Sequence, residues 1–134
     1  MGGVLEEETM SVRMVMTVVG AMVLLTLHGC GRAAPDCSDE TKFEVKSPSG
    51  HYIATWYERD CGATTNFANI VRLRDSTDRL DPQDHSGDVF VSSGQPRLAL
   101  EWVNEDTLHI RCVECGNAKI LERRDNWREV KVEY

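Results

Sequence analysis

The chain has 134 residues, 22 acidic and 15 basic, for a formal net charge of −7 at pH 7. That balance lacks the concentrated basic face nucleic acid requires, so no nucleic-acid partner is expected. It is an ordinary solubility charge for a small domain, and no other partner is read from it.

The first element in chain order is a signal segment. Met14 to Leu27 is apolar apart from Thr17 and Thr26, with Gly20 inside and the basic Arg13 before it. A charged start, an apolar run of this length and a small residue before a cut describe a secretory signal; a spanning helix needs about 20 apolar residues. Glu6, Glu7 and Glu8 put negative charge where such a signal carries positive charge, so the expected start is Met10 and residues 1–9 stand outside the signal. The run closes on Leu27-His28-Gly29-Cys30, which resembles the lipobox of bacterial lipoproteins, although His28 stands where a small residue is usual. The resemblance implies a diacylglyceryl thioether on Cys30, cleavage before it, N-acylation of the new first residue, and membrane attachment through those chains. Gly31 rather than Asp follows Cys30. In a Gram-negative host that favours the outer membrane, facing the periplasm; an uncleaved inner-membrane anchor is the alternative. Two or more acyl chains hold a protein stably where one does not.

Residues 30–40 then read as the lipidated cysteine and a small, polar tether, and residues 41–134 as one β domain. Glu6, Glu7, Glu8 and Arg13 precede Cys30, so the 105 residues from Cys30 onward keep 19 acids and 14 bases, net −5. That length suffices for a buried core. Phe43-Glu44-Val45 alternates and stops at the turn signal Ser47-Pro48-Ser49-Gly50. His51 to Arg59 is rich in Tyr, Ile, Thr and Trp, which suit a pleated surface. Tyr52, Ala54 and Trp56 share one face and Ile53, Thr55 and Tyr57 the other. Asp60 to Asn66 reads as a loop, and Phe67 to Arg74 as a strand with Val71 and Leu73 inward, the two strands forming a hairpin. Asp75 to Asp88 reads as a solvated loop. Val89-Phe90-Val91 is a short strand. Arg97 to Val103 alternates with Leu98, Leu100 and Trp102 inward. Thr107 to Val113 alternates with Leu108, Ile110 and Cys112 inward. Ala118 to Glu122 and Trp127 to Tyr134 are expected as a final pair, with Val130, Val132 and Tyr134 on one face. Outside the signal no helical period occurs. The fold class expected is all-β: an antiparallel meander of about seven or eight strands forming a sandwich or open barrel.

With Cys30 lipidated, Cys37, Cys61, Cys112 and Cys115 remain, and an even number in an exported chain reads as disulfides. Three pairings exist. Cys37 with Cys61 and Cys112 with Cys115 is preferred; a bridge from Cys61 to one of the late pair stays open. A redox reading of Cys112-Val113-Glu114-Cys115 wants its first cysteine at a helix N-terminus, and a strand end with Glu114 between the cysteines opposes thiolate. A four-cysteine zinc site wants two paired knuckles, and only one is present. Asp75, Asp78, Asp81, Asp84 and Asp88, with His85, recur at spacings of three or four with Pro82 between them, unlike the alternating oxygens of a calcium loop. No metal, cofactor or catalytic residue is expected. Ser49, Thr64 and Thr65 lack a nearby His–acid pair.

Arg59-Asp60-Cys61-Gly62-Ala63-Thr64-Thr65 carries several kinds of polar group on one loop, and Arg59, Asp60, Thr64 and Thr65 form the candidate binding loop. The plainer reading is a loop stapled by Cys61, whose Asp and Thr side chains cap its own backbone. Together with Ser47-Pro48-Ser49-Gly50-His51-Tyr52, Asp88-Val89-Phe90-Val91, and Trp102 with Leu108 and Ile110, Glu58 to Phe67 resembles a loose group of small bacterial proteins, many of them lipoproteins. The likeness covers Ser47 to about Ile110 and implies no known activity. Ser49-Gly50 before Tyr52 also resembles the Ser-Gly motif of periplasmic lysozyme inhibitors, with a different spacing. The pieces are similar to single β-propeller blades, but one blade cannot close a propeller. The expectation is a cell-envelope lipoprotein whose β domain binds an envelope protein partner or serves structure. The alternatives are a thiol–disulfide or metal-dependent envelope enzyme and a lysozyme-inhibitor-like protein.

Overall fold

Residues 37–134 are described by the computed structural model; the signal segment, Cys30 and residues 31–36 lie outside the described residues. Nine strands follow in order: β1 (Ser38–Lys46), β2 (Tyr52–Asp60), β3 (Ala68–Asp75), β4 (Asp88–Ser93), β5 (Arg97–Trp102), β6 (Thr107–Glu114), β7 (Ile120–Arg123), β8 (Asn126–Trp127) and β9 (Val130–Glu133). The described chain is all-β, in a five-stranded sheet ordered β1-β2-β3-β4-β7 and a four-stranded sheet ordered β5-β6-β9-β8. β1 begins at Ser38, so residues 38–40, read as tether, belong to the first strand.

The first four strands form the antiparallel meander that their turn signals describe. At Ser47–Gly50 the Gly50 amide donates to the Ser47 carbonyl (2.9 Å) and the Tyr52 amide to Ser47 Oγ (3.1 Å). Gly50 sits at φ +77°, a conformation glycine adopts without the penalty of a Cβ. After β4 the path departs from a meander. β5 and β6 form a hairpin in the second sheet, and β7 crosses back to pair with β4. β8 and β9 then return, β9 lying parallel to β6. The expected pairing of residues 118–122 with 127–134 is therefore absent. Each segment instead completes a different sheet, because β7 meets the open edge of β4 and β9 the open edge of β6.

Between the sheets lies a core of Ala54, Val71, Leu73, Val89, Phe90, Leu98, Leu100, Leu108, Ile110, Trp127, Val130 and Val132. The alternation read from β2, β3, β5, β6 and β9 delivers most of these to the inner faces. Trp56 and Trp102 are partly buried against the core; their indole N–H groups donate to Asn69 Oδ1 (2.8 Å) and the Val45 carbonyl (3.2 Å). Val89 and Phe90 both enter the core although they are sequence neighbours. A register shift opposite Val71 and Arg72 makes this possible, since a bulge turns one extra side chain inward. Cys112, expected inward, is exposed at the end of β6.

The outer face of β2 and β3 is also buried. Ile53, Thr55, Tyr57, Ile70 and Arg72 are each no more than 6% exposed. The segment between β3 and β4, read as a solvated acidic loop, folds over them. Arg59 donates to the Pro82 carbonyl (2.7 Å), Arg74 to the Asp78 carbonyl (2.6 Å), and Arg72 to the Asp81 carbonyl. The Leu73 amide donates to the Gly87 carbonyl (2.8 Å). A Cβ on Gly87 would stand 2.0 Å from the Leu73 oxygen, so only glycine fits there.

Candidate functional site

The candidate binding loop leaves β2 at Asp60. Asp60 Oδ1 accepts the Gly62 amide (2.9 Å), and the Thr65 amide and hydroxyl both donate to the Gly62 carbonyl (3.0 Å each). These are the local side-chain turns that Asp and Thr supply to a loop lacking ladder partners. Thr64 and Thr65 are exposed at the tip. Cys61 is bonded to Cys37, which fastens the start of β1 to the end of β2.

Arg59 does not join the threonines. Its guanidinium forms a two-pronged pair with Asp39 (2.8 and 3.1 Å) while also holding Pro82, and the Asp39 bond raises its pKa further. Of the four residues proposed for the loop, Arg59 thus acts in the sheet and its cover, Asp60 in the loop's own turn, and only Thr64 and Thr65 face outward.

The densest polar cluster joins Asp88 and His85, weighed in the sequence only as part of an acidic run, to Arg72 and Tyr57. Arg72 Nε donates to Asp88 Oδ1 at 2.6 Å, with side chains 3% and 6% exposed. His85 Nδ1 lies 2.9 Å from the other Asp88 oxygen. The Tyr57 ring lies beneath both arginines, 5.2 Å from the Arg72 guanidinium carbon and 5.9 Å from that of Arg59. Burial pushes the Tyr57 phenol up to about 12, helped by the Asp88 carboxylate, and its hydroxyl has no hydrogen-bond partner among the described residues. This cluster has the composition of a reactive site. Its charges are nevertheless mutually paired, and its arginines are committed to the covering segment. Its chemistry is cohesion between sheet and cover. A signal for it exists in the sequence: Ile53, Tyr57 and Ile70 make the outward face too apolar to meet water, and Arg72 and Arg74 share that face by alternation.

Cys112 and Cys115 form the second disulfide, spanning the exposed end of β6 and the turn after it. β7 follows this turn, with no helix whose dipole would stabilise a thiolate. Beside the bridge a small recess of about 60 Å³ opens between the sheets, lined by Phe90, Ser92, Pro96, Ile110, Ile120 and Tyr134 among others. Ser92 Oγ is buried there without a hydrogen-bond partner among the described residues.

At the opposite end, Ser49 Oγ lies 3.2 Å from Ser47 Oγ and accepts the His51 amide (3.4 Å), so the Ser-Gly pair acts within its own turn. Among the described residues no three His, Cys, Asp or Glu side chains gather as metal ligands. Among them, too, no helix is long and apolar enough to cross a membrane. No family model matches the chain, and no curated protein or solved structure matches it either.

Proposed function

We propose that this chain is a bacterial cell-envelope lipoprotein, anchored through acylated Cys30, whose β domain is non-enzymatic and serves binding or structure. The observation that carries the reading is the apolar run Met14–Leu27 ending in Leu27-His28-Gly29-Cys30. Two disulfides suit an oxidising compartment. The side chains that could carry catalysis already hold other roles. The buried Arg72 and Asp88 are paired with each other and covered, and the exposed hydroxyls of the 60–66 loop have no base beside them among their hydrogen-bond partners.

Cys30→Ser tests the anchor. The variant should lose metabolically incorporated fatty acid and accumulate as unprocessed precursor; normal processing and membrane partition would overturn the reading.

A second reading rests on the exposure of both Cys112 and Cys115. An exposed bridge closing four residues is open to thiolate attack, as a thiol–disulfide enzyme requires. Titration against glutathione separates the two. Resistance to the glutathione pool supports a structural bridge, and a potential well above about −300 mV supports redox exchange.

A further inference from the structure

Five large hydrophobic side chains are exposed among the described residues, and three of them, Val113, Ile120 and Leu121, flank the turn between β6 and β7 at 57%, 47% and 57% exposure. Ile120 also lines the recess between the sheets. Between Cys115 and Leu121 the one charged side chain is Lys119; Arg111 is paired with Glu101 (3.7 Å), and Arg124, at the far end of β7, with Glu122 (2.7 Å) and the Ser86 carbonyl (3.3 Å).

The hydrogen-bonded register places this turn at the same end of the domain as the start of β1. Cys37 is bonded to Cys61, and Ser38 pairs with Asp60. Arg59 pairs with Ala68, and Ala68 with Ser93. The Ser93 amide donates to the Lys119 carbonyl (2.9 Å), and Gly94 packs against Ala118. Four strand spacings of ~4.8 Å separate β1 from β7, so the two features lie roughly 20 Å apart across one end. Val103 lies at the other end, next to Trp102, whose indole reaches Val45 near the far end of β1. Six residues lie between Cys30 and Cys37, and a chain of that length reaches at most about 25 Å.

We propose that the β6–β7 end of the domain rests on the phospholipid surface, with Val113, Ile120 and Leu121 entering the headgroup boundary and Lys119, on the same turn, meeting anionic headgroups. The inference rests on the acylated-Cys30 reading. Two observations select lipid as the occupant: the short chain to Cys30 and the position of the apolar rim, with Lys119 beside it, at the tethered end. Exposed apolar side chains with a basic one beside them suit interfacial membrane contact.

The test uses the full chain, purified from the membranes of a bacterial host and reconstituted in vesicles of phosphatidylethanolamine and phosphatidylglycerol with brominated acyl chains. Leu121→Trp and Val113→Trp report the proposed face, and Val103→Trp the opposite end. All three positions are exposed, so the larger side chain meets no core packing. Bromine should remove the emission of the added tryptophan at 121 and 113 and leave that at 103 unchanged. Protein that floats with the vesicles but shows equal quenching at all three positions, or none at 113 and 121, overturns the face while the anchor stands. An unquenched 113/121 face would be free for a soluble protein instead. Protein that does not float at all overturns the anchor reading and, with it, this contact.

Discussion

Two polar loops behave in opposite ways. The segment after β2, residues 61–67, projects and satisfies itself: Asp60 caps Gly62, and Thr65 returns to the Gly62 carbonyl. The segment after β3, residues 76–87, is as polar but lies down on the outer face of the sheet, held by Arg59, Arg72 and Arg74 through three of its carbonyls. What separates them is the surface beneath. Ile53, Tyr57 and Ile70 cannot be left in water at no cost, and a covering segment removes them from it. A loop laid on a sheet must in turn find donors for the carbonyls it turns inward, and guanidinium groups supply several each. Polarity alone therefore does not distinguish a projecting loop from one that covers a sheet.

The comparison breaks most severely at Asp88. Asp88→Ala leaves the Arg72 guanidinium buried and unpaired, which typically costs about 3–5 kcal/mol. Chemical denaturation should show that loss, together with protease cleavage within residues 76–87. A variant that keeps wild-type stability would show the cover to be dispensable.

Next is the staple of the projecting loop. Cys61→Ser opens the bridge to Cys37, a sequence separation of 24. The chain-entropy relation assigns about 3.5 kcal/mol to a ring of that size and about 2 kcal/mol to the four residues closed by Cys112 and Cys115. Cys61→Ser should therefore lower the denaturation midpoint more than Cys112→Ser/Cys115→Ser; the reverse order would contradict the relation here.

Tyr57 sharpens the cover further. Its folded pKa lies near 12 against an ordinary value of 10. The folded state therefore holds the proton more tightly, and the associated stability is present below pH 10 and lost as pH rises from 10 through 12. A two-unit shift corresponds to on the order of 2–3 kcal/mol. Tyr57→Phe should flatten that alkaline loss. At neutral pH it should gain roughly 1 kcal/mol by removing a buried hydroxyl without a partner. An unchanged alkaline profile in the variant would assign the loss to other groups.

The smallest effect is expected at the tip. Thr64→Ala and Thr65→Ala should stay within about 0.5 kcal/mol of wild type, since both side chains are exposed and Thr65 bonds only its own turn. Loss of a partner with stability intact would identify the tip as a binding surface. A large destabilisation would make the loop structural.

Periodicity in the chain suffices for the strands from Phe43 to Val113 and for most of the inner faces, because alternation is a local property that each segment displays without reference to the others. The turn chemistry at Ser47–Gly50 is local for the same reason. The preferred disulfide pairs were legible too, although four cysteines allowed three pairings. Residues 118–134 show where local reading ends. Their alternation is clear, but which edge each strand joins depends on two sheets already placed, so β7 went to β4 and β9 to β6 in parallel. The fate of residues 76–87 depended in the same way on a face assembled from β2 and β3. Arg59 was read as part of a binding loop, and only the assembled sheet, by setting it beside Asp39 and Pro82, decided that its charge holds the fold together. Sequence by itself determined the elements and the candidate signal at Cys30; the tertiary structure decided partners, because pairing and burial are relations between segments distant in the chain.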